Sequence, residues 1–166
     1  MGCVMKKRLA LFTSILFLSA ALSACGKPDS TAGVQHVHRT PGGDLQEKTV
    51  SLQAMPDFLK NQKDEIRLVY QLAAQNTDML KWMPCYCGCG ESAGHQSNQN
   101  CFIKEVLPDG SVVWDDHGTR CVTCMEIAVT AAKLKQDGKS AKEIRQFIDA
   151  TYQKGYAKPT NTPMPV

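Results

Sequence analysis

The 166-residue chain has about one domain's length, and its 43% hydrophobic and 21% charged content excludes a disordered or collagen-like polymer. Lys and Arg total 19 against 16 Asp and Glu, a formal net charge of +3. Three of those bases, Lys6, Lys7 and Arg8, fall in the first 24 residues, which hold no acid, so 19 less three balances the 16 acids of the remainder. A neutral remainder without a basic block has no electrostatic footprint for nucleic acid.

In chain order, residues 1–24 read as a signal peptide: the basic trio is followed by an apolar run, Leu9 to Leu22, too short for a comfortable bilayer span. Next comes Leu22-Ser23-Ala24-Cys25-Gly26, which resembles a bacterial lipobox. That resemblance implies diacylglycerol on the Cys25 sulfur and cleavage before it. Two acyl chains suffice for stable anchoring, so the expected location is the extracytoplasmic face of the cell membrane, with membrane lipid as partner.

Residues 25–50 contain few large apolar residues and are broken by Pro28, Gly33, Pro41, Gly42 and Gly43, which predicts a flexible tether. His36 and His38 then read as solvated linker residues, with weak metal capture as the alternative. An ordered domain is expected over residues 51–156. Pro56 opens a pattern in which Phe58, Leu59, Ile66, Val69, Tyr70 and Ala73 recur at helical steps, predicting a helix over 56–75. Asn76-Thr77-Asp78 starts a short helical turn that Pro84 ends. Pro108-Asp109-Gly110 between apolar strands predicts a β-hairpin over 101–114. A helix over 121–136 should stop at Asp137-Gly138, and another over 140–153 starts with a Ser140/Glu143 capping box. Residues 157–166, with three prolines, read as a disordered tail. The expected fold is a small, mainly α domain with a cysteine-rich loop and a short β-hairpin. Its expected core includes Phe58, Ile66, Tyr70, Ile127, Ala131, Ile144, Phe147 and Ile148. At about 100 ordered residues such a core is modest, so a metal or disulfide staple contributes.

Beyond Cys3 and Cys25, six cysteines lie between positions 85 and 124 together with two histidines. Cys85, Cys87 and Cys89 alternate in Pro84-Cys85-Tyr86-Cys87-Gly88-Cys89-Gly90, and His95 and Cys101 follow at five- and six-residue steps. In a regular strand the middle sulfur would face away, but Gly88 and Gly90 permit positive φ and let the loop curl. His117 precedes Cys121 and Cys124, which share one face of a helical first turn near unpaired N–H groups that favour thiolate. Asp115 or Asp116 is placed to orient the His117 imidazole.

These residues, with Gly94-His95, Asn100-Cys101-Phe102, Asp116-His117-Gly118 and Cys121-x-x-Cys124, resemble the PCYCGC-motif lipoproteins, a bacterial family. The resemblance spans about Pro56 to Gly155. It implies export as a lipoprotein and makes the cysteine motif the defining feature, while implying no particular chemistry. Where the family has Cys-Gly-Val-Cys, this chain has Cys121-Val122-Thr123-Cys124, with the ligand spacing intact.

Three readings follow. Cys85, Cys87, Cys89, His95, Cys101, His117, Cys121 and Cys124 supply donors for two tetrahedral sites or a Cu(I)–thiolate cluster, giving a Cu(I)- or Zn-binding storage or delivery protein with a metal-trafficking partner. Alternatively, three disulfides staple an interaction module, since thiols outside the cytoplasm tend to pair. Third, Cys121-x-x-Cys124 could run thiol–disulfide exchange, though without βαβ context. Met125 after Cys124 excludes a haem attachment motif. Met83 and Met125 read as core residues whose thioethers would also suit copper, and Trp82 and Trp114 as core residues that exclude water. Ser92, Ser97 and Thr119 have no base at nucleophile spacing, so no hydrolase triad is expected.

Overall fold

A computed structural model describes residues 34–166 of the chain. Cys25 and the expected signal peptide lie outside the described residues, as does the first part of the expected tether. The elements are β1 (Val34–Arg39), β2 (Leu45–Thr49), α1 (Asp64–Gln75), α2 (Thr77–Leu80), α3 (Gly90–Ala93), β3 (Ile103–Val106), β4 (Val112–Asp115), α4 (Val122–Gln136) and α5 (Ala141–Tyr152). Three single 3₁₀ turns, Asp57–Leu59, Asn98–Cys101 and Asp116–Thr119, punctuate them.

The expected mainly α architecture is corrected to a mixed one, because the strands form a four-stranded antiparallel sheet in the order β1-β2-β4-β3. The extra hairpin is β1–β2, built from residues 34–49 of the expected tether. It has little apolar content, and its turn is closed by Thr40 N–H to Asp44 O (2.9 Å). Pairing with β4 holds it: Gln46 faces Asp115 and Thr49 faces Val112. The Trp114 indole donates to Thr49 Oγ1 at 2.8 Å, and the buried Glu47 carboxylate accepts from the Asp57 and Phe58 amides at 2.6 and 3.2 Å. These hydrogen bonds offset the desolvation of the buried polar groups, which is how a polar hairpin joins a domain.

Helix α1 starts at Asp64, not at Pro56, with a 3₁₀ turn before it. Helices α4 and α5 and the β3–β4 hairpin fall where periodicity and turn chemistry place them. Tyr70 is fully buried, packs edge-on to Phe102 with ring centroids 5.2 Å apart, and donates to Asp115 O at 2.7 Å. That contact fixes α1 on the β3–β4 side of the sheet, and Ile127, Ala131, Ile144 and Ile148 extend the core through α4 and α5. Phe58 and Ile66 pack at its edge.

Two other expectations fail. Phe147 is 49% exposed, because α5 buries Ile144, Arg145, Ile148 and Tyr152, a face centred roughly 110° away around the helix. The Arg145 guanidinium occupies that face, donating to the carbonyls of Trp82 (3.0 Å), Thr162 (3.1 Å) and Pro163 (3.0 Å). The expected disordered tail is thereby ordered. Ala157 N–H donates to Tyr86 O at 3.2 Å, Thr160 N–H to Cys85 O at 3.0 Å, and Cys85 N–H to Thr160 Oγ1 at 2.9 Å. Among the described residues no helix is long and apolar enough to cross a membrane.

Candidate metal centre

Four pieces of chain build the centre: the loop after α2, the 3₁₀ turn ending at Cys101, the 3₁₀ turn carrying His117, and the start of α4. Cys121 N-caps α4 and Cys124 sits in its first turn, so the helix presents two sulfurs from its positive end. The loop closes over them with the tail at its back. Gly88 takes φ +83°, while Gly90 is needed for proximity: a Cβ there would lie 2.6 Å from Thr160 Cγ2. The reading that both glycines supply positive φ is therefore right for Gly88 alone.

Five of the six cysteines converge. Cys85 Sγ lies 2.9 Å from Cys87 Sγ, 3.4 Å from Cys124 Sγ and 3.6 Å from Cys101 Sγ. All six are free thiols. Beside two carboxylate-containing groups, Asp44–His95–His117 and Asp44–Asp115–Asp116, two sulfur sets have donor atoms mutually within 4.8 Å: Cys87, His117, Cys121 and Cys124, and the wholly buried Cys85, Cys101 and Cys124. Cys124 belongs to both. His117 Nε2 is 3.9 Å from Cys87 Sγ. His95 adjoins the second set, its Nδ1 3.6 Å from Cys101 Sγ, and packs edge-on to His117 with centroids 4.8 Å apart. Its Nε2 is buried without a hydrogen-bond partner. Cys89 joins neither set.

Sequence reasoning missed one residue. The His117 imidazole is oriented by Asp44, Nδ1 to Oδ1 3.2 Å, whereas Asp115 accepts from the His117 backbone N–H at 2.9 Å. Asp116 accepts from the Leu45 amide at 2.8 Å and pairs with Arg120. Asp44, only 3% exposed, also takes an ion pair from Arg120. It comes from the β1–β2 turn of the expected tether, and nothing in Pro41-Gly42-Gly43-Asp44 points 73 residues ahead to a histidine.

The electrostatics are those of sulfurs sharing too few protons. Hydrogen bonds from Cys121 and Cys124 hold the Cys87 thiol down to about 4, and those from Cys124 and Cys85 hold Cys101 down to about 6. The same neighbours push Cys124 upward, since it is the donor to them. Hydrogen bonds to the Cys121 and Cys87 sulfurs raise His117 to about 12, and burial lowers His95. Sulfurs and an imidazole gathered this closely offer a set of donors to a cation. The donor chemistry fits one: three sulfurs and a nitrogen match the four-coordinate N/S shell of zinc, and three sulfurs match the low coordination number of Cu(I). The buried, unpartnered His95 nitrogen is consistent with a further ligand. Cys/His groups here could therefore hold a metal ion.

Met83 is fully buried in the core, and Met125 is half-buried beside it. Trp114 is a core residue, while Trp82 is only partly covered, with Lys81 Nζ 5.1 Å from its ring.

A family model described as "Protein of unknown function with PCYCGC motif" matches residues 14–165. The chain belongs to the PCYCGC-motif family. No curated protein and no solved structure matches it. The family is defined by the segment whose sulfurs form one side of the centre, so the geometry of Cys85 and Cys87 against α4 gives its motif a structural role.

Proposed function

We propose that the protein is a lipid-anchored, extracytoplasmic metal-binding protein that holds thiophilic ions, Cu(I) or Zn(II), in a thiolate-bridged centre and exchanges them with a metal-trafficking partner. The observation that carries the reading is the position of Cys124, whose sulfur is common to the Cys87–His117–Cys121 and Cys85–Cys101 groups. A thiolate has lone pairs to bridge two ions, whereas a disulfide sulfur has one sulfur partner. Cys124 Sγ lies 3.4 Å from Cys85 Sγ and within 4.8 Å of the sulfurs of Cys87, Cys101 and Cys121, which suits a pair of metal ions and gives a pairwise staple nothing. The redox reading through Cys121 and Cys124 is weaker, because the Cys124 sulfur has those of Cys85, Cys87 and Cys101 within the same 4.8 Å as Cys121, so it is not a dedicated partner of Cys121. The lipid anchor rests on the lipobox around Cys25 and explains how the site stays at the membrane surface.

Protein purified without oxygen and assayed for metal content and free thiols tests the reading. Metal in stoichiometric amount, with six cysteines titrating after its removal under denaturant, supports it. No metal and three disulfides would select the stapled module. For the anchor, Cys25→Ser should move the protein out of the membrane fraction; unchanged fractionation rejects it.

A further inference from the structure

Cys89, the third cysteine of the motif, is the one sulfur of the six left out of both donor sets. It is half-exposed, its amide donates to Cys87 Sγ at 3.4 Å, and its thiol turns toward Cys87 O at 3.9 Å. A cavity of about 480 Å³, open to solvent, is lined by Cys87, Cys89, Cys121 and His117, with Tyr156 and Ala157 of the tail on its wall. Cys85, Cys101 and Cys124 are buried, whereas Cys87 and Cys121 are the half-exposed sulfurs of the centre. Cys89 therefore shares one solvent-open cavity with the half-exposed resident donors Cys87 and Cys121.

We propose that Cys89 is an exchange ligand, which takes a metal ion from the Cys87–His117–Cys121–Cys124 set and passes it to a thiol-bearing acceptor entering this cavity. The inference rests on the metal-binding reading and adds the route and the acceptor chemistry to it. In the first step the Cys89 sulfur bonds the ion and its thiol proton leaves to solvent, while Cys87 or Cys121 releases the ion and its thiolate regains a proton. Acceptor thiols then displace Cys89 and the remaining resident donors in turn, each incoming thiol losing its proton as each released sulfur regains one, while His117 leaves as neutral imidazole. The ion keeps its oxidation state throughout, and no reductant is consumed. The gain is one of proximity: an incoming sulfur tethered two residues from Cys87 replaces one that must arrive by diffusion. Gly88 at φ +83° supplies the turn that brings Cys89 back toward Cys87.

The test uses full-length, metal-loaded protein under anaerobic conditions, comparing wild type with Cys89→Ser and Cys89→Ala. Metal content is counted by mass spectrometry. Transfer is timed by adding glutathione as the thiol acceptor together with a chromogenic chelator that traps the released ion. Both variants should hold as much metal as wild type and transfer it at least about tenfold more slowly. Loss of an ion from either variant would make Cys89 a resident ligand and overturn the proposal, as would transfer at the wild-type rate. Wild type that binds no metal would instead defeat the metal-binding reading beneath it, an outcome readable before any variant is made.

Discussion

Gly118→Ala tests whether the hydrophobic core and the metal centre are one structure. Gly118 is buried directly after His117, and a Cβ there would stand 2.5 Å from two ring carbons of Phe102 and 2.9 Å from Cys101 O. Carbon atoms pack at about 3.5–4.0 Å, so the ring has to retreat by roughly 1 Å. It has nowhere to go: Phe102 is fully buried against Tyr70, whose hydroxyl is tied to Asp115 O. Overpacking of this kind costs about 1–3 kcal/mol, or roughly 4–12 °C in Tm for a domain of this size. The carbonyl it presses belongs to a donor residue and the turn it deforms carries His117, so metal affinity should fall as well, by about 10- to 100-fold, the usual effect of disturbing a ligand's support. Thermal unfolding and metal titration measure both. Replacing Phe102 by Leu removes the opposing ring, so Gly118→Ala should cost less in that background than in wild type, a coupling that a double-mutant cycle reads directly. Unchanged Tm and affinity in Gly118→Ala, or strictly additive costs in the double variant, would refute the reasoning.

Cys124→Ser should abolish metal binding to both groups, whereas Cys101→Ser should leave the ion of the Cys87–His117–Cys121 group in place; mass spectrometry of loaded protein distinguishes them, and equal losses would reject a shared sulfur. Asp44→Asn should lower metal affinity about 10- to 100-fold while the six cysteines stay in place, because the carboxylate that orients His117 is gone; a competition titration against a chelator measures it. Arg145→Met keeps the buried stem and deletes the donors to Trp82, Thr162 and Pro163, at about 2–3 kcal/mol, and hydrogen exchange at the Cys85 and Thr160 amides should accelerate most. The Ser140/Glu143 capping box holds the Glu143 carboxyl at about 2, below its ordinary value, so its contribution to stability is present above the unfolded value and lost as pH falls toward 2; Ser140→Ala should flatten that part of the pH–stability curve.

What the sequence makes legible is whatever depends on local chemistry. The α4 and α5 boundaries follow from caps and periodicity, the β3–β4 hairpin from Pro108-Asp109-Gly110, and the gathering of cysteines from their number and spacing. Three features escape it because they depend on partners far away in the chain. The β1–β2 hairpin lacks apolar alternation and is held by β4 and by the buried Glu47. Asp44 gains its role only when that hairpin docks beside His117. The tail carries no large apolar anchor, and its order comes from Arg145 and from backbone bonds to the cysteine loop. Phe147 shows the complementary error: a large apolar residue near a helical repeat is read as core, although the buried arginine sets the inward face.

The tail's bonds to Cys85 and the reach of Asp44 to His117 also set an order of assembly. These contacts join residues 75 and 73 positions apart, and contacts of such separation form late because the intervening loop must close first. A nascent or translocating chain cut off before Ala157 already contains every cysteine of the centre but lacks the segment that frames their loop. Its sulfurs would be a loose set of thiols, open to oxidation or to the wrong partner. A chain spanning both the β1–β2 turn and Thr160 holds them in register, so a filled centre would mark a chain folded from Asp44 through Thr160.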